Sequence, residues 1–218
     1  MVKVERSYPA PASLALEAQK ANGSYSKPDV VDRLKNDFHD KCYICEIDNL
    51  QDPQVEHLLP HMGDKYRERK FDWDNLFWSC GHCNSVKNQA KYNYGIIDCC
   101  KEDPEKLISF ELEDEKVKVT AIDDNKSAIL TAELITEVFN LMNTGMRVYK
   151  SQQRYKELNC EMNKLYDALE EIRKCQDSRF AYRKARALLR RESRFAAFKR
   201  NYIRNNIEKY PGLRDYIN

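Results

Sequence analysis

The chain has 218 residues, of which 33% are charged and 42% hydrophobic, and its formal net charge is +2. This composition is typical of a globular protein with one or two domains and excludes a fibrous or wholly disordered chain. No stretch approaches the roughly 20 consecutive apolar residues that a membrane-spanning helix needs, and the N-terminus has no charged segment followed by an apolar one. We therefore expect a cytoplasmic protein with reduced thiols.

The segment before the first cysteine is predicted to start as extended chain and then to form two helices. Its early prolines disfavour a helix at the very start, and a short helix is expected from Ala12 to Ala21. Asp29 can cap a second helix. The spacing of three and four in that helix predicts one apolar face, formed by Val31, Leu34 and Phe38.

Two pairs of cysteines have the spacing of metal ligands. Cys42 with Cys45, and Cys80 with Cys83, are each separated by two residues, and 34 residues lie between the pairs. Two such knuckles complete a tetrahedron around Zn²⁺. Four thiolates leave no position for water, so this zinc is predicted to be structural. His82 lies inside the second pair and is an alternative ligand, although we expect it to be a surface residue or to support the ligands.

The segment between and after these pairs carries the residues with chemical potential. Residues Val55 to Pro60 are predicted to form a strand that ends at a proline and carries Glu56 and His57 side by side. Residues Trp73 to Trp78 are predicted to form a second strand. Residues Cys80 to Lys87 are predicted to turn from the knuckle into a helix.

Three motifs, Glu-His-x-x-Pro, Asp-Asn-Leu and Cys-x-x-Cys-Asn-x-x-Lys, follow one another over residues 41 to 91. In this order they resemble the HNH endonuclease family. In that family the pieces form a ββα-metal fold whose two strands and helix grip one catalytic divalent ion. The resemblance implies an α+β fold with a zinc-clamped HNH core, and an enzyme that hydrolyses phosphodiester bonds of nucleic acid, most simply DNA.

The resemblance also implies a role for each matching residue. His57 would be the general base that activates water, and Glu56 and Asn84 would hold Mg²⁺ or Mn²⁺. Asn75 would bridge the loop between the strands and so fix His57, and Lys87 would contact a phosphate. The physical chemistry agrees, because oxygen ligands suit a hard cation and an imidazole titrates near neutrality. Glu56 stands where the family more often has Asp, and Asn84 stands where it often has His.

Downstream of the core, alternating apolar residues predict a β-hairpin. Its strands are Leu107 to Leu112 and Val117 to Ile122, around a turn at Glu113 to Glu115. This hairpin would close a nuclease domain of residues 1–125. A helical domain of residues 126–218 would follow, and its first helix would run from Ser127 to Asn143 with a possible break at Asn143-Thr144-Gly145.

The helical domain contains a long apolar seam. Its members recur at intervals of three and four and are Tyr155, Leu158, Met162, Leu165, Leu169 and Ile172. A partner helix is predicted to start after the Asp177-Ser178 cap and to continue to about Tyr210, where Pro211-Gly212 stops it. This gives an antiparallel helical hairpin. Pairing of two chains through the same seam, in a homodimer, is the alternative.

The charge is unevenly distributed along the chain. Residues 173–209 contain 13 Lys or Arg against 3 Asp or Glu, a local net charge of +10, so the remaining residues carry −8. Such asymmetry favours contact with a polyanion, and Arg190 and Arg194 are candidate nucleic-acid contacts. A solvated or partner-facing surface is the alternative.

The opening segment and the overall plan are also similar to the HNH nucleases of bacterial anti-phage systems of the Septu type. That resemblance implies a role in antiviral defence and an SMC-like ATPase as partner. Two interpretations rival the nuclease. In the first, the chain is a non-catalytic zinc module that binds nucleic acid or protein. In the second, it is a scaffold in which the helical seam is the functional part. His61 is expected to be a neutral loop residue, with contact to phosphate or ion as the alternative.

Overall fold

A computed structural model describes residues 1–63, 65–114, 116–140, 145–175 and 178–217. Glu115 of the predicted turn, the predicted break at Asn143 and Thr144, and Asp177 of the predicted cap lie outside these ranges. The helices are α1 (Ala12–Ala18), α2 (Pro28–Asp37), α3 (Arg67–Phe71), α4 (Gly81–Lys87), α5 (Lys126–Asn140), α6 (Met146–Lys174), α7 (Arg179–Leu189) and α8 (Ala196–Asn205). The strands are β1 (Pro53–His57), β2 (Leu76–Cys80), β3 (Ile108–Leu112) and β4 (Val117–Ala121). The predicted α+β class is confirmed.

Both predicted N-terminal helices are present, but α1 ends at Ala18 instead of Ala21, and Val30 takes the fully buried position expected of Val31. Lys27 occupies the N-cap position, and Pro28 begins the helix with its fixed φ. Asp29 therefore lies inside the first turn, and the expectation that it caps the helix is wrong. Its carboxylate instead accepts hydrogen bonds from the backbone and hydroxyl of Ser13, which joins α2 to the start of α1.

β1 and β2 form the antiparallel pair that presents the central motifs. Glu56 pairs with Phe77 and His57 with Leu76, and α4 follows β2 directly. The second strand starts later than predicted, because Trp73–Asn75 forms a 3-10 turn. The Asp72 carboxylate accepts the backbone N–H of Asp74 and so initiates this turn.

The predicted hairpin β3–β4 is present and packs into the main hydrophobic core. Phe110 of β3 contacts Phe198 of α8 with ring centroids 5.3 Å apart, and Phe198 contacts Phe139 of α5 at 5.5 Å. This core contains residues from both sides of position 125, from Met1 to Phe198. The division into domains 1–125 and 126–218 stays a prediction.

The apolar seam of α6 is buried within the chain. All of its members are buried except Tyr155, which is half-buried. The C-terminal half of the seam packs in a second cluster against apolar residues of α7, α8 and the 3-10 turn Pro211–Tyr216. Among the described helices, none combines the length and apolar character needed to cross a bilayer.

The single long helix predicted up to Tyr210 is wrong, because α7 ends at Leu189 and α8 starts at Ala196. Phe195 is fully buried and has a left-handed φ of 47°, which turns the chain between the two helices. The carboxylate of Glu46 then accepts the N–H groups of Ala196 and Ala197 and so caps α8. At the other end, Ser178 caps α7 as predicted, since its hydroxyl accepts an N–H of the first turn.

Candidate functional site

The four paired cysteines meet in a buried cluster. Cys42 and Cys45 follow α2, Cys80 ends β2, and Cys83 lies in the first turn of α4. Their Sγ atoms all lie within 4.8 Å of one another, and those of Cys45 and Cys80 are 4.0 Å apart. A tetrahedral zinc with Zn–S bonds of about 2.3 Å requires S–S separations of about 3.8 Å. The thiol geometry therefore fits a structural zinc ion.

The charges around the cluster fit the same ion. Burial raises the pKa of Cys45 and of Cys83 well above the ordinary value, so a cation is needed to hold these groups as thiolates. Four thiolates around Zn²⁺ leave a net charge of about −2. Arg154 of α6 is buried and donates to Cys80 Sγ at 3.0 Å, which offsets part of this charge. Nothing in the local pattern around Arg154 indicated this contact.

His82 is not part of the cysteine cluster. Its Nε2 lies 3.1 Å from the carbonyl oxygen of Val138 and 3.3 Å from the hydroxyl of Ser151. Burial lowers the pKa of His82 to about 4, so the ring is neutral at pH 7. The expectation of a surface position is wrong, because the imidazole is buried where α4 meets α5 and α6.

Asn75 ties together the loop that joins β1 to β2. Its Oδ1 accepts the N–H of Leu59 at 2.8 Å, and its Nδ2 donates to the carbonyl oxygens of Leu59 and Arg69, each at 2.9 Å. The side chain is buried and uses three of its four hydrogen-bonding capacities. Asn75 thus makes the bridge across the loop that the sequence motif predicts.

His57 is held by the same loop. Its Nε2 lies 3.2 Å from the carbonyl oxygen of Lys70, and the ring of Tyr25 packs edge-on against it at 4.5 Å. A carbonyl oxygen only accepts, so Nε2 carries the proton and Nδ1 keeps a lone pair. Burial lowers the pKa of His57 to about 4, which keeps the imidazole neutral at pH 7.

Glu56 and Lys87 satisfy one another in the interior. The Lys87 ammonium donates to Glu56 Oε1 at 2.6 Å and to the carbonyl oxygens of His57 and Leu58 at 2.9 and 3.0 Å. The other carboxylate oxygen of Glu56 accepts the hydroxyl of Tyr43 at 2.6 Å. All three N–H groups of Lys87 are thus used within the chain, and its predicted phosphate contact stays a prediction. Both oxygens of Glu56 already have partners.

His57 and Asn84 line one cleft of about 410 Å³. His61 lines it too, with its ring 4.7 Å from that of His57 and its Nδ1 2.8 Å from the carbonyl oxygen of Gly63. The amide nitrogen of Asn84 donates to Gln54 Oε1. The structure therefore brings the predicted base and the predicted last ligand to the same opening.

The two predicted contacts in the basic region have different surroundings. Arg190 is exposed at the C-terminal end of α7. Arg194 binds the carboxylates of Asp48, at 2.9 Å, and Glu157. Two carboxylates of the same chain therefore bind the guanidinium of Arg194, and its predicted nucleic-acid contact stays a prediction.

Comparison with known proteins leaves the family undecided. No protein-family model matches the chain, and no curated protein matches it significantly.

Proposed function

We propose that this protein is a zinc-clamped, metal-dependent nuclease of the HNH type that hydrolyses phosphodiester bonds, with DNA as the expected substrate. The observation that carries the proposal is the setting of His57. Its ring is tethered through Nε2 to the loop that Asn75 ties, and it lines the same cleft as Asn84. A general base needs such a fixed, neutral imidazole with a lone pair available.

The chain's own residues supply part of the chemistry of hydrolysis. Nδ1 of His57 would accept the proton of the attacking water, and the hydrogen bond from Nε2 to the carbonyl of Lys70 would stabilise the imidazolium that forms. The buried ring environment favours the neutral form before reaction and return of the proton after it. The lowered pKa makes His57 a weaker base than an ordinary histidine, but it also keeps the ring unprotonated at pH 7 and so able to accept a proton.

The fit of the cleft to a hard cation such as Mg²⁺ or Mn²⁺ is incomplete. Asn84 offers an amide oxygen, but Glu56 would have to exchange its ion pair with Lys87 for the metal. A bound cation would neutralise charge that develops on the phosphate. The dependence of cleavage on added Mg²⁺ or Mn²⁺ tests whether such a cation takes part.

The test is a cleavage assay with the purified zinc-loaded chain on supercoiled plasmid, linear duplex, single-stranded DNA and RNA, with Mg²⁺ or Mn²⁺ added. We expect cleavage of at least one DNA form, and we expect His57→Ala to reduce the rate by about 10²-fold or more. His39→Asn is the matched control, because His39 is exposed, lies on the preceding segment and has a left-handed φ that Asn tolerates. Equal rates for wild type and His57→Ala would refute the mechanism.

A non-catalytic zinc module is the second candidate, and one observation favours it. Both oxygens of Glu56 and all N–H groups of Lys87 are used internally, which closes one side of the cleft to a cation. Binding of nucleic acid without cleavage in every divalent metal would support this candidate. The antiviral role, the SMC-like ATPase partner and the cytoplasmic location stay predictions of the sequence.

A further inference from the structure

Two sets of basic residues near the C-terminus have different surroundings. The members of the first set are each within 4 Å of a carboxylate on another element and are Lys184, Arg191, Arg194, Lys199, Arg200 and Arg204. Glu105 alone binds three of them. Much of the local positive charge thus neutralises acidic groups of the same chain.

The second set forms one exposed row along α7 and its C-cap residue, Arg190. Its members are Arg179, Arg183, Arg186 and Arg190, spaced by four, three and four residues, and all four are exposed. The opposite face of α7 is buried through Ala181, Ala185 and Leu189. Since each residue adds about 1.5 Å to a helix, the row is about 16 Å long. We call this row the arginine row.

Among the described residues, no acidic side chain neutralises the arginine row. Within the described ranges, no carboxylate lies within salt-bridge distance of any of the four guanidinium groups, and α7 contains no Asp or Glu. The acidic side chains on the adjoining end of α6 have other partners, since Glu170 binds Lys174 and Glu171 binds Lys184. Arg186 packs over the ring of Tyr216 at 4.5 Å and is still exposed.

We propose that the arginine row binds the phosphate backbone of duplex DNA. Its length of about 16 Å corresponds to about five base pairs at 3.4 Å each, and duplex DNA presents a straight, dense line of negative charge. A single strand would favour a row of exposed aromatic side chains for base stacking, and α7 offers only Phe180, at 63% exposure. This inference rests on the proposed function for its choice of DNA, but binding is measured separately from cleavage.

The experiment measures binding of the full chain to a labelled 20-base-pair duplex by fluorescence anisotropy, across a range of salt and without added Mg²⁺, Mn²⁺ or chelator. The test variant replaces all four arginines of the row by glutamine. The control variant removes the same charge elsewhere and replaces four exposed lysines by glutamine, namely Lys20, Lys35, Lys116 and Lys118. A third variant replaces the row by four lysines, which keeps the charge.

We expect the glutamine row to weaken binding at least about tenfold and to reduce the slope of log K against log salt by about 3.6, or about 0.9 for each phosphate contact. The control and the lysine row should bind within about threefold of wild type, because backbone contact depends on charge at the right place. If the variant with four glutamines is less stable than wild type, the double variant Arg183→Gln with Arg190→Gln replaces it in the test. The double variant should give half the change in slope.

Wild-type affinity and slope in the glutamine variant would overturn the inference. So would the absence of duplex binding by wild type, a preference for single-stranded DNA through the same row, or binding to vesicles containing phosphatidylserine in place of DNA. A duplex that is bound through the row but never cut would overturn the nuclease proposal and leave this inference standing. If the variant with four glutamines cuts DNA at the wild-type rate, this inference is overturned and the nuclease proposal stands.

Discussion

At the scale of single residues, the cleft depends on what surrounds each polar group. His57 is neutral because it is buried, and Asn75 fixes the loop because its amide reaches two backbone segments at once. The motif predicts the positions of both residues, whereas Asn75 on its own would be interpreted as a cap or turn residue. The partners of Lys87 were not predictable, because two of them are carbonyl oxygens at the exit of β1 whose direction depends on the folded backbone.

The ion pair of Glu56 and Lys87 predicts a specific loss of stability. Replacing Lys87 by Met leaves a buried carboxylate without its cation, which should cost about 3–5 kcal/mol of unfolding free energy at pH 7. Replacing both residues, with Glu56→Gln added, should cost less than Lys87→Met alone, because no charge is then left unpaired. Urea unfolding of wild type, both single variants and the double variant measures the coupling.

The stability of Lys87→Met should also depend on pH in a defined way. Burial raises the pKa of Glu56 above its ordinary value, and removing Lys87 removes a group that lowers it. A carboxylate whose pKa is raised on folding costs stability only where the pH lies above its unfolded-state pKa, so the deficit of Lys87→Met should shrink as pH falls from the folded-state pKa of the variant to the unfolded-state pKa and be smallest below that. Lys91→Met is the control, because Lys91 is 41% exposed in its ion pair with Glu137. If Lys87→Met and Lys91→Met lost equal amounts of unfolding free energy, the buried ion pair of Glu56 and Lys87 would have no special role in stability.

At the scale of elements, the sequence pattern predicts the amphipathic elements well. The hairpin β3–β4 and the seam of α6 lie where the periodicity of two and of about 3.5 indicates, because burial of one face selects that periodicity. The break between α7 and α8 was missed, because apolar residues recur at helical spacing on both sides of it. It depends on Glu46, which is 150 residues away and caps α8.

The packing of α6 predicts that its apolar seam is buried within one chain and does not pair two chains in a dimer. Leu165 is fully buried against α7 and α8, so Leu165→Ala should cost about 2–5 kcal/mol of unfolding free energy. Asn163→Ala is the control at an exposed site of the same helix and should stay within about 0.5 kcal/mol. The unfolding midpoint should not depend on protein concentration, as mass action requires of a monomer. A midpoint that rises with concentration, with a dimer in sedimentation equilibrium, would instead support pairing between chains.

At the scale of the whole molecule, the cysteine cluster is connected to the helical part of the chain. Arg154 of α6 donates to Cys80, and Glu46, next to Cys45, accepts from the first N–H groups of α8. Lys41, next to Cys42, donates to the backbone carbonyl oxygens of Arg191 and Ser193. The sequence predicts the four ligands from their spacing alone. It could not predict these connections, because they join residues more than 70 positions apart.

These connections predict that loss of zinc disturbs the helical part together with the core. Purified chain should contain about one tightly held zinc, and Cys83→Ser should lose it, since metal binding and folding are coupled in such sites. Cys160→Ser is the control, because Cys160 is exposed on α6 outside the cluster. Metal analysis and thermal unfolding should separate the two variants. In hydrogen exchange, amides of α8 should lose protection together with those of β1 and β2 in Cys83→Ser, because Arg154, Glu46 and Lys41 transmit the change. Unaltered protection of α8 beside an unfolded core would show instead that residues 126–218 form an independent domain.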